Sequence, residues 1–273
     1  MKSNTKTLLE IRPNKLLGQH FLRSRQVLQK IIAAAELSQE KTVLEIGPGL
    51  GTLTRALAKR AGLVVAVEKD QRLAEQLEKS LASELIANVR VVRGDILKIN
   101  FADLKLPPDY SVVANIPYYL TSRLLRTLLE SKHPPREMIL TVQKEVAERI
   151  VAKPPKMNLL AVSVQAFAKP KILFTVPPSA FYPPPAVDSA LIKLSSVSEK
   201  FFTEETVPPD RFFQIVRAGF QARRKTLANN LARYLGNKKA AEARLEECGI
   251  DPRARAETLP LKAWTTLTRK LCK

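Results

Sequence analysis

Thr42-Val43-Leu44-Glu45-Ile46 runs directly into Gly47-Pro48-Gly49-Leu50-Gly51, and Thr52-Leu53-Thr54 then opens a helical pattern reaching to about Arg60. A short apolar strand, a Gly-rich turn and a helix start, in that order, form the first step of a nucleotide-binding α/β sheet. The glycines let the backbone approach a ligand closely. The next segments repeat the step. Leu63 to Val67 reads as a second strand and ends in the acid Glu68; a helix from Gln71 to about Ser83 follows. Val89 to Val92 is a third strand, ending at Gly94-Asp95-Ile96, and Tyr110 to Ala114 is a fourth, leading into Asn115. This alternation predicts an α/β fold, a Rossmann-like, doubly wound parallel sheet with ligands at the strand C-termini.

The remaining chain is read more coarsely. Val27, Leu28, Ile31 and Ile32 make one apolar stripe on a helix from about Arg25 to Ala35. Leu120 to Leu129 is a helix, Met138 to Val142 a fifth strand, and Gln143 to Ala152 a helix. Leu159 to Phe167 fits helix or strand alike, Ile172 to Val176 is a strand, and Ser189 to Leu194 a last one. Between those two strands, Pro177-Pro178-Ser179-Ala180-Phe181-Tyr182-Pro183-Pro184-Pro185 excludes helix and central strand. A composition shift from Ser195 to Pro209 reads as a linker, and helical, basic patterns follow it. The expected domains are residues 1–200, the sheet domain with a basic N-terminal segment, and 208–273, a small all-α, basic domain.

Charge narrows the partners. In 273 residues, Lys and Arg number 45 against 26 Asp and Glu, a net charge of +19. Such a field suits a polyanion. Residues 210–273 hold 15 Lys/Arg against 6 Asp/Glu, and residues 1–30 hold 7 against 1, so both ends are basic. No stretch approaches the roughly 18 apolar residues of a membrane span, and the N-terminus has no signal-peptide core. Cys248 and Cys272 have no CxxC spacing, and His20 and His133 lie far apart, which argues against a disulfide framework and a metal site. The expected setting is cytoplasmic, without a membrane.

Two cofactor classes fit a Gly-rich turn with an acid ending the second strand: a nicotinamide dinucleotide and S-adenosylmethionine. The dinucleotide fingerprint G-x-G-x-x-G wants glycine at position 52, where this chain has Thr. Gly47, Gly49 and Gly51 are spaced G-x-G-x-G, and no dehydrogenase acid/base set is visible, so S-adenosylmethionine fits better. Glu68, 21 positions after Gly47, suits the ribose hydroxyls; Asp95 suits an adenine amino group, with Ile96 on the ring. Asn115-Ile116-Pro117-Tyr118-Tyr119 then suits the methyl acceptor. The exocyclic amine of adenine is a poor nucleophile because its lone pair is delocalised. Acceptors that hold its N–H bonds aim it at the methyl, and the Asn115 side-chain oxygen and a main-chain carbonyl beside Pro117 supply them. Pro117 fixes the turn, Tyr118 stacks on the base, and positioning carries most of the catalysis.

These segments resemble the small-subunit (16S) ribosomal RNA adenine dimethyltransferase family, the KsgA type. The resemblance rests on Leu17-Gly18-Gln19-His20-Phe21-Leu22, Leu44 to Gly51, Gly94-Asp95-Ile96, Asn115 to Tyr119, Gln143 to Arg149, and Phe181-Tyr182-Pro183-Pro184-Pro185-Ala186-Val187-Asp188-Ser189, and covers nearly the whole chain. It implies dimethylation at N6 of two adjacent adenines in the 3′-terminal hairpin loop of small-subunit rRNA, with S-adenosylhomocysteine as product. It further implies a monomer that acts on an immature 30S subunit. Carried over residue by residue, His20 and Leu22 line the cofactor site, Gly47 approaches the methionine part, and Asn115 touches cofactor and target. Phe181 flanks the flipped base opposite Tyr118. Where the family carries a Tyr-Gly pair before a Leu-Ser-Val-like run, this chain reads Leu159-Leu160-Ala161-Val162-Ser163-Val164. Two other readings are a large-subunit adenine methylase of the antibiotic-resistance type and a non-catalytic RNA-binding assembly factor.

Overall fold

The computed structural model describes residues 13–14 and 18–271. The basic N-terminal segment, Lys15-Leu16-Leu17 and Cys272 lie outside them. Two compact units divide the chain: residues 1–147 with 171–195, and residues 148–170 with 196–273.

The first unit starts with the two-residue strand β1 (Phe21–Leu22) and helix α1 (Arg25–Ala34), capped by Ser24, whose hydroxyl accepts from the Val27 N–H. Then come β2 (Thr42–Ile46), α2 (Thr52–Ala58), β3 (Leu63–Glu68), α3 (Gln71–Ser83), β4 (Val89–Arg93), β5 (Ser111–Asn115), α4 (Thr121–Leu129) and β6 (Glu137–Gln143). After α5 (Lys144–Ile150) and α6 (Leu159–Gln165) follow β7 (Lys169–Val176), the short β8 (Phe181–Tyr182) and β9 (Ser189–Ser195). The stretch that fits helix or strand alike is thus helical, started by Asn158, whose side chain accepts from the Ala161 N–H.

Seven strands form one sheet in the order β4-β3-β2-β5-β6-β9-β7. From β4 to β6 all pairs are parallel. Strand β9 pairs antiparallel with β6, so the sheet is mixed, with a parallel core from β4 to β6. The central strands are buried on both faces, so they read as apolar runs rather than alternating ones. The order reverses between β2 and β5. The chain builds outward from β2 to β4, then crosses back to lay β5 on the other side of β2. Such a switch point opens a crevice at the strand C-termini, and here it lies between Gly47 and Asn115.

In the second unit, α6 is joined by α7 (Lys200–Glu205), α8 (Pro209–Gly219), α9 (Leu227–Leu231), α10 (Lys238–Glu246) and α11 (Leu261–Leu271). Residues 196–209 are not a bare linker. They carry α7, whose Phe202 is buried against Phe167, Phe212 and Phe213 with ring centroids 5.1 to 5.7 Å away. Trp264, fully buried, stacks on Phe220 at 5.5 Å and fills the space beside Gly219, where a Cβ would lie 2.4 Å from its ring. Asn230 is buried, donates to the Gly219 and Ala222 carbonyls and accepts from the Ala222 N–H. That holds the turn from which Arg223, Arg224 and Lys225 project, all exposed.

Candidate active site

One cavity at the switch point brings together eight of the residues singled out from sequence: His20, Leu22, Gly47, Glu68, Asp95, Asn115, Pro117 and Tyr118. Its floor is the turn after β2. Gly47, Gly49 and Gly51 all have positive φ, at 68°, 58° and 76°. Glycine populates that region freely. At Gly51 a side chain would also have to displace its neighbours, since a Cβ would sit 2.4 Å from Leu77 Cδ1 and 2.5 Å from Arg55 Nη1.

Glu68, ending β3, is buried. Its Oε2 accepts from the Gly49 N–H at 3.0 Å and its Oε1 from the Asp70 N–H at 2.8 Å. Each oxygen keeps a further lone pair for a ligand hydroxyl. Burial pushes this carboxyl up, and those N–H donors work against the shift. Asp95 is more open. Its Oδ1 accepts from the Leu97 N–H at 3.1 Å, and its Oδ2 pairs with Lys69 Nζ at 3.0 Å. Burial would raise the Asp95 carboxyl, but Lys69 and the Leu97 N–H outweigh it and hold it below its ordinary value.

Asn115 ends β5. Its Nδ2 donates to the His20 carbonyl at 2.9 Å, which fixes the amide plane and leaves Oδ1 as the accepting end. Pro117 starts a 3-10 turn in which its carbonyl accepts from the Leu120 N–H at 2.9 Å. Tyr118 is held at both ends. Its hydroxyl bonds Ser189 Oγ at 2.7 Å, and its ring stacks on His20, centroids 5.7 Å apart and planes at 27°. Burial raises the phenol pKa and the Ser189 bond opposes it.

The segment Gly18 to Leu22 closes over these strand ends. Gln19 Nε2 donates to Asp70 Oδ2 at 3.3 Å. His20 Nδ1 donates to the Pro183 carbonyl at 2.7 Å, which sets the proton on that nitrogen. Strand β1 pairs antiparallel with β8, Phe21 opposite Tyr182 and Leu22 opposite Phe181. Two motifs some 160 residues apart therefore form one ribbon.

Phe181 is not brought to the cavity. It is 4% exposed and packs in the core with Leu22, Val27 and Leu191. The ring expected to flank a target base is, in this conformation, a core ring, set in the cluster that holds Val27 and Leu191. Exposed aromatics near the cavity are Tyr119, on its wall at 55%, and Tyr182 at 48%.

Sequence reasoning passed over Glu45. It lines the cavity, is 2% exposed, and its Oε2 has no hydrogen-bond partner. Burial pushes its carboxyl from 4.5 up to about 8, against the nearby Thr54 hydroxyl and with the Glu68 charge adding to the rise. The signal was present: an acid inside a strand otherwise buried on both faces is out of place. Ser189 and Gln19 carry no signal of their own in sequence, and their partners, Tyr118 and Asp70, are set only in three dimensions.

The sequence profile described as "Ribosomal RNA adenine dimethylase" matches residues 11–273. The chain belongs to this family. As a ribosomal RNA adenine dimethylase it is a methyltransferase acting on adenine of ribosomal RNA. It is 47% identical over 265 residues to the Ribosomal RNA small subunit methyltransferase A of Dehalococcoides mccartyi (strain CBDB1), covering 96% of this chain and 88% of that one. It is 42% identical over 270 residues to the protein of the same name from Moorella thermoacetica, covering 95% and 92%. Among solved structures, a dimethyladenosine transferase from Plasmodium falciparum superposes with a TM-score of 0.78 at 28% identity, over 91% of this chain and 96% of that one. The 23S rRNA methyltransferase ErmE gives 0.68 at 28% identity, over 93% and 100%. Among the described residues no helix is long and apolar enough to cross a membrane.

Proposed function

We propose that this dimethylase uses S-adenosylmethionine to dimethylate N6 of two adjacent adenines in the 3′-terminal hairpin loop of small-subunit rRNA, acting as a monomer on an immature subunit. The observation that carries the reading is the anchored amide of Asn115, whose nitrogen is held by His20 and whose oxygen is left to accept inside the cavity.

The cavity residues fit the donor. S-adenosylmethionine supplies, when bound, an electrophilic methyl on a sulfonium. Glu68 would hold the ribose hydroxyls with the lone pairs that Gly49 and Asp70 leave. Asp95 would accept from the adenine amino group, with Ile96 against the ring. The positive-φ turn at Gly47 would admit the methionine part without a Cβ in the way, with His20 and Leu22 on the wall above.

For the acceptor, Asn115 Oδ1 would take one N6–H bond of the target adenine and a carbonyl beside Pro117 the other. Holding both favours a pyramidal nitrogen with its lone pair aimed at the methyl. Tyr118, braced by Ser189 and His20, would lie against the base. The displaced proton leaves to water, and no strong base is required.

The test is methyl transfer from labelled donor to unmethylated small subunits, with the product nucleosides identified. N6,N6-dimethyladenosine in small-subunit rRNA is expected. Label confined to large-subunit rRNA, or a purified protein that does not bind the donor, would overturn the reading.

A further inference from the structure

The β1–β8 ribbon has two faces, one wholly buried and one that carries an exposed ring. Directly paired residues of an antiparallel ribbon point to the same side, and successive residues alternate. Leu22 and Phe181 form one face, and both are buried in the core. Phe21 and Tyr182 form the other. Alternation puts Arg23 on that second face too, and its guanidinium carbon lies over the Tyr182 ring, 5.4 Å from the centroid. The Arg23 N–H donates to the Ala180 carbonyl at 2.8 Å, so backbone pairing extends past β1 and fixes where Arg23 points.

Both residues of β1 line the cavity, and on the Phe21 side the ribbon runs on to Tyr182. Phe21 lines the cavity and packs on Gly49, where a Cβ would lie 3.0 Å from its ring. Tyr182, beside it, is 48% exposed. The next carbonyl along, that of Pro183, accepts from His20, whose ring stacks on Tyr118. A half-exposed aromatic with a cation over it thus stands just outside the acceptor motif. Arg23 is exposed, and among the described residues no carboxylate pairs with it.

We propose that Arg23 and Tyr182 form a stacking platform for the nucleotide adjoining the adenine in the cavity, Tyr182 taking the base and Arg23 its phosphate. The assignment rests on the proposed rRNA substrate. An aromatic face accepts any base without reading its edge, and a guanidinium adds a phosphate contact. Two neighbouring targets require such a place: while one adenine is held for reaction, the other has to be parked within one nucleotide's reach. Phe181 is turned away from that space by the register of the ribbon, and Tyr182 is turned toward it.

The experiment compares wild-type protein with Tyr182→Leu, Tyr182→Phe, Tyr182→Trp and Arg23→Ala in methyl transfer to unmethylated small subunits, with donor affinity and melting temperature measured alongside. Tyr182→Leu should raise the half-saturating subunit concentration about tenfold or more, leaving donor affinity and melting temperature near wild type. Tyr182→Phe and Tyr182→Trp should retain wild-type saturation, because the ring and not the hydroxyl carries the contact. Arg23→Ala should lower the salt slope of subunit binding by about 0.7 to 0.9, the loss of one phosphate contact. Wild-type saturation by Tyr182→Leu, or equal losses in the leucine and aromatic variants, would overturn the platform. If the wild-type protein itself fails to methylate small subunits, the functional reading fails first, and the two failures are told apart.

Discussion

Asn115 and Glu45 are the two cavity side chains whose replacement is most informative. Asn115→Ala removes an acceptor aimed by a bond to His20. Removing one oriented group of this kind costs about 10²–10³-fold in rate, so single-turnover methyl transfer should fall by that order while RNA binding persists. Glu45 is a matter of pH. In the unfolded chain it ionises near 4.5, and in the fold burial keeps its proton on to about 8. Between those values only the unfolded state loses the proton, so the Glu45 contribution to stability falls as pH rises from 4.5 to about 8 and is level above. Glu45→Gln cannot ionise. Its melting temperature relative to wild type should therefore rise steadily from pH 5 to pH 8, and a constant difference would mean that Glu45 is already charged in the fold. Glu68, Asp95 and Asn115 could be read from sequence because each stands at or just past a strand end, where an α/β sheet places its ligands. Glu45 leaves a weaker mark, an acid inside a buried strand, and its meaning depends on what lies above that strand.

At the scale of elements, the sheet strands from β2 to β6 were legible from apolar runs bounded by glycine and by acids. Strand β9 was legible as a strand but its antiparallel direction was not, since a buried strand reads the same in either direction. The two-residue β1 and β8 are too short for any periodicity to show. Their pairing decides which of two neighbouring aromatics faces the core, and it depends on a register set across some 160 residues. That register predicts the behaviour of Phe181. Phe181→Ala should cost about 3–5 kcal/mol of stability as a cavity in the core. Phe181→Leu keeps most of the volume and should keep methyl transfer within about threefold, whereas loss of a ring that stacks on a base would cost tenfold or more. Melting curves and turnover on the two variants decide between a core ring and a stacking ring.

Across the whole molecule, the excess of basic residues is the feature that sequence states most openly, and structure adds where some of it is presented. The Asn230-braced turn holds Arg223, Arg224 and Lys225 outward. Replacing all three by Ala should reduce the slope of log affinity for rRNA against log salt by about 2; an unchanged slope would place the footprint elsewhere. Removing residues 210–273 is a poorer test, because it also strips Phe212 and Phe213 from Phe167 and Phe202. The ribbon has a last consequence, for the order in which the molecule is made. Its first strand leaves the ribosome early, but the partner of that strand and the carbonyl that holds His20 come only at Phe181 to Pro183. Until about two thirds of the chain has been synthesised, the roof of the site has nothing to pair with. A nascent enzyme therefore completes its grip late, after the parallel strands β2 to β6 beneath it, and fragments ending before Pro183 lack it.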